Sequence, residues 1–142
     1  MYRLPVVPKR VRYLAFGVAL ALVVAFSIVP LPDWVTDTGP FGLFPIRQHL
    51  HLLAYAGLAL ALGYVFVDAD RPDWQLLVLV FVVATVLGLG LELLQSTLEH
   101  RTASSGDVLM NAAGATVAVL LWRVLLTRTR PTPVEFPVGP LL

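Results

Sequence analysis

The side chains of this chain that could transfer a proton or hold a ligand occur in pairs within otherwise apolar sequence. The pairs are His51 with Tyr55, Glu92 with Gln95, and Asp107 with Asn111. Residues three or four apart lie on one face of a helix, so each pair would act from a single surface. Imidazole and carboxylate groups are common general acids and bases. We therefore take His51, Glu92 and Asp107 as the catalytic candidates.

A second group of residues could bind a substrate rather than react with it. The guanidinium group of Arg101 could hold a phosphate or a carboxylate through two parallel hydrogen bonds. Residues with hydroxyl or amide groups could position the rest of the substrate, namely Tyr55, Gln95, Asn111 and Ser104. Together with Arg101 they are the substrate-binding candidates.

Several other chemistries are excluded or disfavoured by the sequence. The chain has no cysteine, so it offers no thiolate nucleophile, no thiolate metal ligand and no disulfide. A metal ion held by His51, Glu92 and Asp107 is conceivable, but no HExxH-type spacing supports it. No serine lies in a recognisable nucleophile motif. The sequence therefore predicts no metal site and no cofactor.

The composition indicates that these polar residues belong to a membrane protein. The chain is 58% hydrophobic and 13% charged, with a mean hydropathy of +0.81. A soluble domain carries about 25% charged residues, so this chain has too little polar surface to face water on all sides. Its net charge of +1 is too small to favour a nucleic acid, and we expect no nucleic-acid partner.

Four apolar segments are long enough for transmembrane helices, each of which needs roughly 20 residues. They cover residues 13–31, 48–67, 74–98 and 108–126. They lack the strict alternation of barrel strands, so the predicted fold class is all-α, a polytopic bundle of four transmembrane helices. A basic segment, 1–12, precedes this membrane domain. A proline-rich segment, 127–142, follows it and is predicted to be a loose tail.

The distribution of basic residues predicts the orientation of the bundle. Eight of the ten Lys and Arg residues lie in the N-terminal segment, in the turn between the second and third spans, or near the C-terminus. The positive-inside rule therefore predicts a multi-pass protein of the cell membrane with both termini in the cytoplasm. The polar pairs would then lie in the outer leaflet. A cleaved signal peptide ending at Ala25-x-Ser27 is an alternative for the first span, and it leaves the other spans in the same orientation.

The connection 33–47 between the first two spans is apolar but rich in helix-breaking residues. In one interpretation it lies on the lipid headgroups through Phe41 and Phe44, as membrane-interface aromatics do. In the other it dips over the polar residues as a partial lid, because irregular backbone is tolerated at depth only where protein or water covers it.

The polar residues need partners if they lie within the bilayer. A charged carboxylate at the centre of a span costs about 2.5–3.5 kcal/mol on insertion scales, so Glu92 must be paired or must face trapped water. Arg101 and His51 are the cations predicted at similar depth. Structural roles are the alternatives: Asp107 and Ser104 also fit a capping box, and Asn111 could hydrogen-bond between helices.

At these residues the sequence resembles the VanZ-like family of small integral membrane proteins. The resemblance runs from residue 48 to about residue 122 and rests on three motifs in order. They are His51-x-x-x-Tyr55, then Glu92-x-x-Gln95, then Arg101-x-x-Ser104-x-x-Asp107-x-x-x-Asn111-x-x-Gly114. Family members often carry an Asp-Lys pair shortly before the histidine, and this chain has Arg47-Gln48 instead. The family is named for a protein associated with teicoplanin resistance, but the resemblance does not make this chain a resistance determinant.

Two classes of function follow from these observations. In the first, the polar residues bind or modify an amphiphilic cell-envelope molecule, such as a membrane lipid or a lipid-linked envelope precursor. In the second, the protein is a non-catalytic scaffold or accessory subunit whose buried polar network fixes helix packing. A homo-oligomer or a partner membrane protein is compatible with either class. A carrier of protons or small solutes is disfavoured, because the polar residues do not continue into the inner leaflet.

Overall fold

The computed structural model describes residues 1–30, 32–99 and 104–134, with Phe41 described by its backbone alone. Four long helices and two short strands make up the fold. In chain order these are β1 (Tyr2–Val6), α1 (Lys9–Ile28), α2 (Ile46–Val65), α3 (Asp73–Gln95), α4 (Ser105–Arg128) and β2 (Thr129–Pro133). Two 3-10 turns, Asp33–Thr36 and Pro40–Gly42, lie between α1 and α2. The predicted helices are therefore present, together with two strands that the sequence did not predict.

Prolines set most of the helix boundaries. Pro8, Pro45 and Pro72 immediately precede α1, α2 and α3. Proline is tolerated at the start of a helix, because a backbone N–H there would have no partner within the helix. The first helix ends at Ile28, not at the predicted residue 31. Val29 precedes Pro30 and is extended, with ψ of 137°, as expected for a residue before proline.

The third helix also ends earlier than predicted, at Gln95 rather than residue 98. The hydroxyls of Ser96 and Thr97 donate to the carbonyls of Leu93 and Leu94, at 2.6 and 2.7 Å. The last carbonyls of a helix lack partners within the helix, so these hydroxyls satisfy two of them where the chain turns.

The helix α2 is the centre of the bundle, since it packs against α1, α3 and α4. The core between the helices is built from small and aliphatic side chains: Ala59, Leu62, Leu76, Val80, Ala84, Ala115 and Ala118. A Cβ atom at Gly114 of α4 would collide with the backbone carbonyl of Leu52 in α2. The lack of a side chain at Gly114 therefore allows α2 and α4 to approach closely at this crossing.

Three of the described helices, α1, α3 and α4, are long and apolar enough to cross a membrane. They present large apolar side chains on the outside, among them Leu14 and Phe26 of α1, Val86 of α3 and Leu109 of α4. An exposed apolar surface of this extent is suited to lipid rather than to water. The remaining helix, α2, carries four polar residues in its first two turns, namely Arg47, Gln48, His49 and His51.

The strands β1 and β2 pair as a parallel two-stranded sheet, in which Tyr2 lies opposite Thr129 and Val6 opposite Pro133. Val6 is buried against Val67 and Trp122. The prediction of a loose tail is therefore wrong for Thr129–Pro133. Proline cannot continue a helix, but it is tolerated in an edge strand, where its missing N–H removes no ladder hydrogen bond.

A buried arginine joins α1 to the turn after α2. Arg12 donates to the carbonyls of Tyr64 and Val65, at 3.0 and 2.9 Å. It also forms a bidentate ion pair with the carboxylate of Asp68, at 2.9 and 2.8 Å. The Arg12 guanidinium holds the pKa of the Asp68 carboxyl below its usual value. The strand pair and this ion pair together close one end of the bundle.

Candidate functional site

The opposite end of the bundle holds a group of buried polar residues, which we call the polar cluster. Its members are Arg47, His51 and Tyr55 of α2, Glu92 of α3, and Asp107 and Asn111 of α4. Glu92, Asp107 and Asn111 are only 2–3% exposed. Residues from three helices thus converge at one place, as their helical spacing suggested.

His51 lies between the two carboxylates. Its Nδ1 is 3.6 Å from Glu92 Oε1, and its Nε2 is 3.8 Å from Asp107 Oδ2. Nδ1 also lies 2.9 Å from Asn111 Oδ1. Because an amide oxygen only accepts, Nδ1 carries a proton in this orientation and donates to it. In the neutral imidazole, Nε2 then has the free lone pair.

Arg47 binds Asp107 and is the member of the cluster that was not among the predicted site residues. Its Nη2 lies 2.9 Å from Asp107 Oδ2, and the Asp107 side chain is only 2% exposed. Arg47 had been treated only as part of the outer connection. A signal was available, since residues 47, 51 and 55 are four apart and share one face of α2.

Ser104 contributes its backbone rather than its hydroxyl to the cluster. Its N–H donates to the carboxylate of Glu92, which ties the start of α4 to α3. Ser104 is the N-cap of α4, yet its side chain makes no capping bond to any described residue, so the capping-box interpretation fails for Ser104. Asp107 still lies in the first turn of α4, where a negative charge is favourable. Arg101, the other predicted partner of Glu92, lies outside the described residues.

Tyr55 lines the cluster on the side facing α3. Its ring is parallel to that of His51, with an interplanar angle of 3° and 6.5 Å between centroids. Gly88 of α3 makes room for this arrangement, because a Cβ atom there would be 3.0 Å from both the Tyr55 ring and Asn111 Cβ. Gly88 therefore allows α3 to approach the polar side chains of α2 and α4.

Gln95 lies apart from the cluster and joins α3 to α1. Its Nε2 donates to the carbonyl of Ser27 at 3.1 Å. Ser27 is in the last turn of α1, where carbonyls lack partners within the helix. The predicted binding residue Gln95 therefore has a structural hydrogen bond, although its side chain also borders the groove described next.

A groove of about 420 Å³ runs between α1 and α2 and reaches the polar cluster. Its walls are mostly apolar and include Leu22 and Phe26 of α1 and Leu53 of α2. Arg47 and His51 lie at its polar end. This volume falls within the range of about 300–1,000 Å³ that is typical of small-molecule sites.

Three atoms of the polar cluster are buried and have no hydrogen-bond partner among the described residues. They are Glu92 Oε2, Asp107 Oδ1 and Asn111 Nδ2. Leaving a buried polar atom without a partner costs about 1–3 kcal/mol, and more for a charged group. The protein residues described here therefore do not satisfy the cluster on their own.

The three predicted catalytic residues are also close enough to act together. His51, Glu92 and Asp107 each offer one ligand atom, and these atoms lie within 4.8 Å of one another. The arrangement could pass a proton between the imidazole and either carboxylate, or hold a metal ion.

Comparison with known proteins identifies one family. The family model described as VanZ/LLP1 matches residues 10–126, which include all four helices over most of their length. No curated protein and no solved structure gives a significant match.

Proposed function

The chain belongs to the VanZ/LLP1 family, and we propose that it crosses the cell membrane four times and binds an amphiphilic envelope molecule. The headgroup of this molecule contacts Arg47 and His51, and its acyl chain lies in the groove between α1 and α2. The bound class is a membrane lipid or a lipid-linked envelope precursor. The observation that carries the proposal is that one groove combines apolar walls with a buried polar end.

Four spans are supported by the way the ends of the helices meet. The paired strands bring the start of α1 and the end of α4 to one end of the bundle, and Arg12 brings the turn after α2 there as well. This arrangement requires an even number of crossings if α1, α3 and α4 span the membrane. The excess of basic residues at that end favours a cytoplasmic location, which puts the polar cluster in the outer leaflet.

The chemistry of the groove fits an anionic amphiphile. Leu22, Phe26 and Leu53 offer an apolar surface for an acyl chain. A guanidinium forms short, strong hydrogen bonds with phosphate and carboxylate, and the side chain of Arg47 is 23% exposed beside the groove. His51 could act as a general acid or base on the headgroup.

The alternative function, a non-catalytic scaffold, is favoured by the hydrogen bonds between helices. His51 with Asn111 and Gln95 with Ser27 each join two helices. An inert packing network would, however, have its buried polar groups satisfied. The three unpartnered atoms of the polar cluster therefore favour a ligand over a scaffold.

A groove-filling substitution tests the proposal with a matched control. Gly57 borders the groove and Gly90 does not, and at each glycine no described atom lies within 4 Å of an added Cβ. We expect Gly57→Leu to reduce labelling by a photoreactive anionic phospholipid at least fivefold in vesicles, because the new side chain occupies acyl-chain space. Gly90→Leu should leave labelling unchanged. Equal labelling of the two variants would contradict binding in this groove.

A further inference from the structure

We propose that His51, Glu92 and Asp107 form a binding site for a divalent metal ion of the Zn²⁺ class. This site goes beyond the binding of an amphiphile and does not depend on it. One imidazole and two carboxylates are a ligand set that zinc and neighbouring first-row ions accept.

The distances are close to those that a metal ion would impose. Bonds of about 2.0–2.2 Å in a tetrahedral site put ligand atoms about 3.4 Å apart. His51 Nε2 lies 3.8 Å from Asp107 Oδ2, and one ligand atom from each of the three residues lies within 4.8 Å of the other two. The three residues already lie on helices that pack together. Rotation of their side chains could therefore bring the ligand atoms to one ion without movement of the backbone.

The hydrogen bond between His51 and Asn111 has the form found behind metal-binding histidines. A metal-binding imidazole usually donates its other N–H to an oxygen, which fixes the orientation of the ring. Here Nδ1–H donates to Asn111 Oδ1, at 2.9 Å, and Nε2 keeps its lone pair. Asn111 would therefore be a positioning residue for the proposed ligand.

The unpartnered oxygens point independently to a cation. Glu92 Oε2 and Asp107 Oδ1 belong to side chains that are 4% and 2% exposed, and neither has a donor among the described residues. A carboxylate oxygen is an acceptor, so both atoms are open to a hydrogen-bond donor or to a cation. A bound divalent ion supplies positive charge at the place where both oxygens are buried.

The charges of the cluster lead to the same conclusion. Among the described residues that pair with these carboxylates, Arg47 supplies one permanent positive charge against two negative ones. A neutral His51 leaves an excess negative charge in a buried site, which is strongly unfavourable. A bound divalent ion removes this excess, and a metal-binding experiment tests whether one binds.

The test measures metal bound to the protein in detergent after treatment with a chelator, with no phospholipid added. We expect about one Zn²⁺ per chain by elemental analysis and titration calorimetry. We also expect visible absorption bands of a low-symmetry site when Co²⁺ is added instead. Absence of stoichiometric Zn²⁺ binding at micromolar free ion would overturn the proposal.

Two glutamate variants locate the ion. Glu92→Gln removes a ligand, so we expect at least a tenfold loss of Zn²⁺ affinity, whereas Glu99→Gln alters an exposed glutamate close in sequence and should change nothing. If Glu92→Gln does not fold, His51→Gln replaces it in the same comparison. Unchanged Zn²⁺ affinity in a folded variant would overturn the site. Because no lipid is present, this result is independent of the labelling of the Gly57 and Gly90 variants.

Discussion

Arg47 and Asp107 form the shortest ion pair described in the polar cluster, and residue types alone did not identify it. Arg101 and His51 were the cations predicted at the depth of the buried acid. Arg47 was counted with the connection because the second span was predicted to begin at residue 48. In the structure, α2 begins at Ile46, so Arg47 lies in its first turn. Arg47 is therefore one turn before His51 and on the same face of the helix.

We expect Arg47→Met to destabilise the protein by about 1–3 kcal/mol, because it leaves the Asp107 carboxylate buried without its ion-pair partner. Removing one member of a fully buried pair costs about 3–5 kcal/mol, and the effect is smaller here because Arg47 is 23% exposed. The measurement is chemical unfolding in detergent. The double variant Arg47→Met with Asp107→Asn should recover part of the loss, since no unpaired charge remains. Wild-type stability in the single variant would show that the ion pair contributes nothing.

Two interpretations of single residues changed once their neighbours were known. Gln95 was predicted to bind substrate with Glu92, but its amide donates to the end of α1. Ser104 was predicted to act through its hydroxyl, but its backbone N–H binds Glu92. Spacing predicts which residues share a helix face. It does not predict which part of the fold lies opposite that face.

At the scale of helices, α2 and α4 approach each other most closely at Gly114. An added Cβ at this position would meet the backbone of Leu52 and would lie 2.9 Å from the backbone nitrogen of Ala56. Backbone cannot move aside as a flexible side chain can. The same close approach brings Asp107 and Asn111 of α4 to His51 of α2, so the glycine contributes to the geometry of the polar cluster.

We expect Gly114→Ala to destabilise the protein by about 1–3 kcal/mol through overpacking of this helix pair. Gly90→Ala is the matched control, since it is also a helical glycine and no described atom lies within 4 Å of its added Cβ. The control should unfold at or slightly above the wild-type denaturant concentration, because alanine favours helix more than glycine does. Both midpoints can be measured by circular dichroism in detergent. Equal midpoints would mean that the helices can separate without loss of stability.

At the scale of the whole molecule, the two ends of the bundle differ in their role. One end is closed by the strand pair and by the ion pair between Arg12 and Asp68. The other end contains the polar cluster and the opening of the groove. The structural contacts that join the chain ends thus lie far from the residues proposed to bind a ligand.

The orientation of the bundle can be measured directly. A reporter fused after residue 142 should be active only in the cytoplasm, and a reporter inserted near Gly42 should be active only outside. The reason is the excess of basic residues near the end of the bundle where β1 and β2 pair. The reverse pattern would place the polar cluster in the inner leaflet and would remove the cell-envelope molecule from the proposed function.

The membrane character, the number of helices and the family were determined by the sequence alone. Long apolar segments have one low-energy structure in lipid, a helix with its backbone hydrogen bonds satisfied internally, so composition is sufficient to predict it. The cost of an unpaired charge in lipid was likewise sufficient to predict that Glu92 faces protein or trapped water. The motifs around them were sufficient to indicate the VanZ-like family.

Only the tertiary structure decided which of these residues touch. The pairing of Arg47 with Asp107, the hydrogen bond between His51 and Asn111, and the pairing of β1 with β2 all join residues far apart in the chain. Helical periodicity fixes the direction of a side chain relative to its own helix. The rotation and depth of each helix relative to its neighbours depend on packing, as at Gly88 and Gly114, and no local pattern in the sequence contains that information.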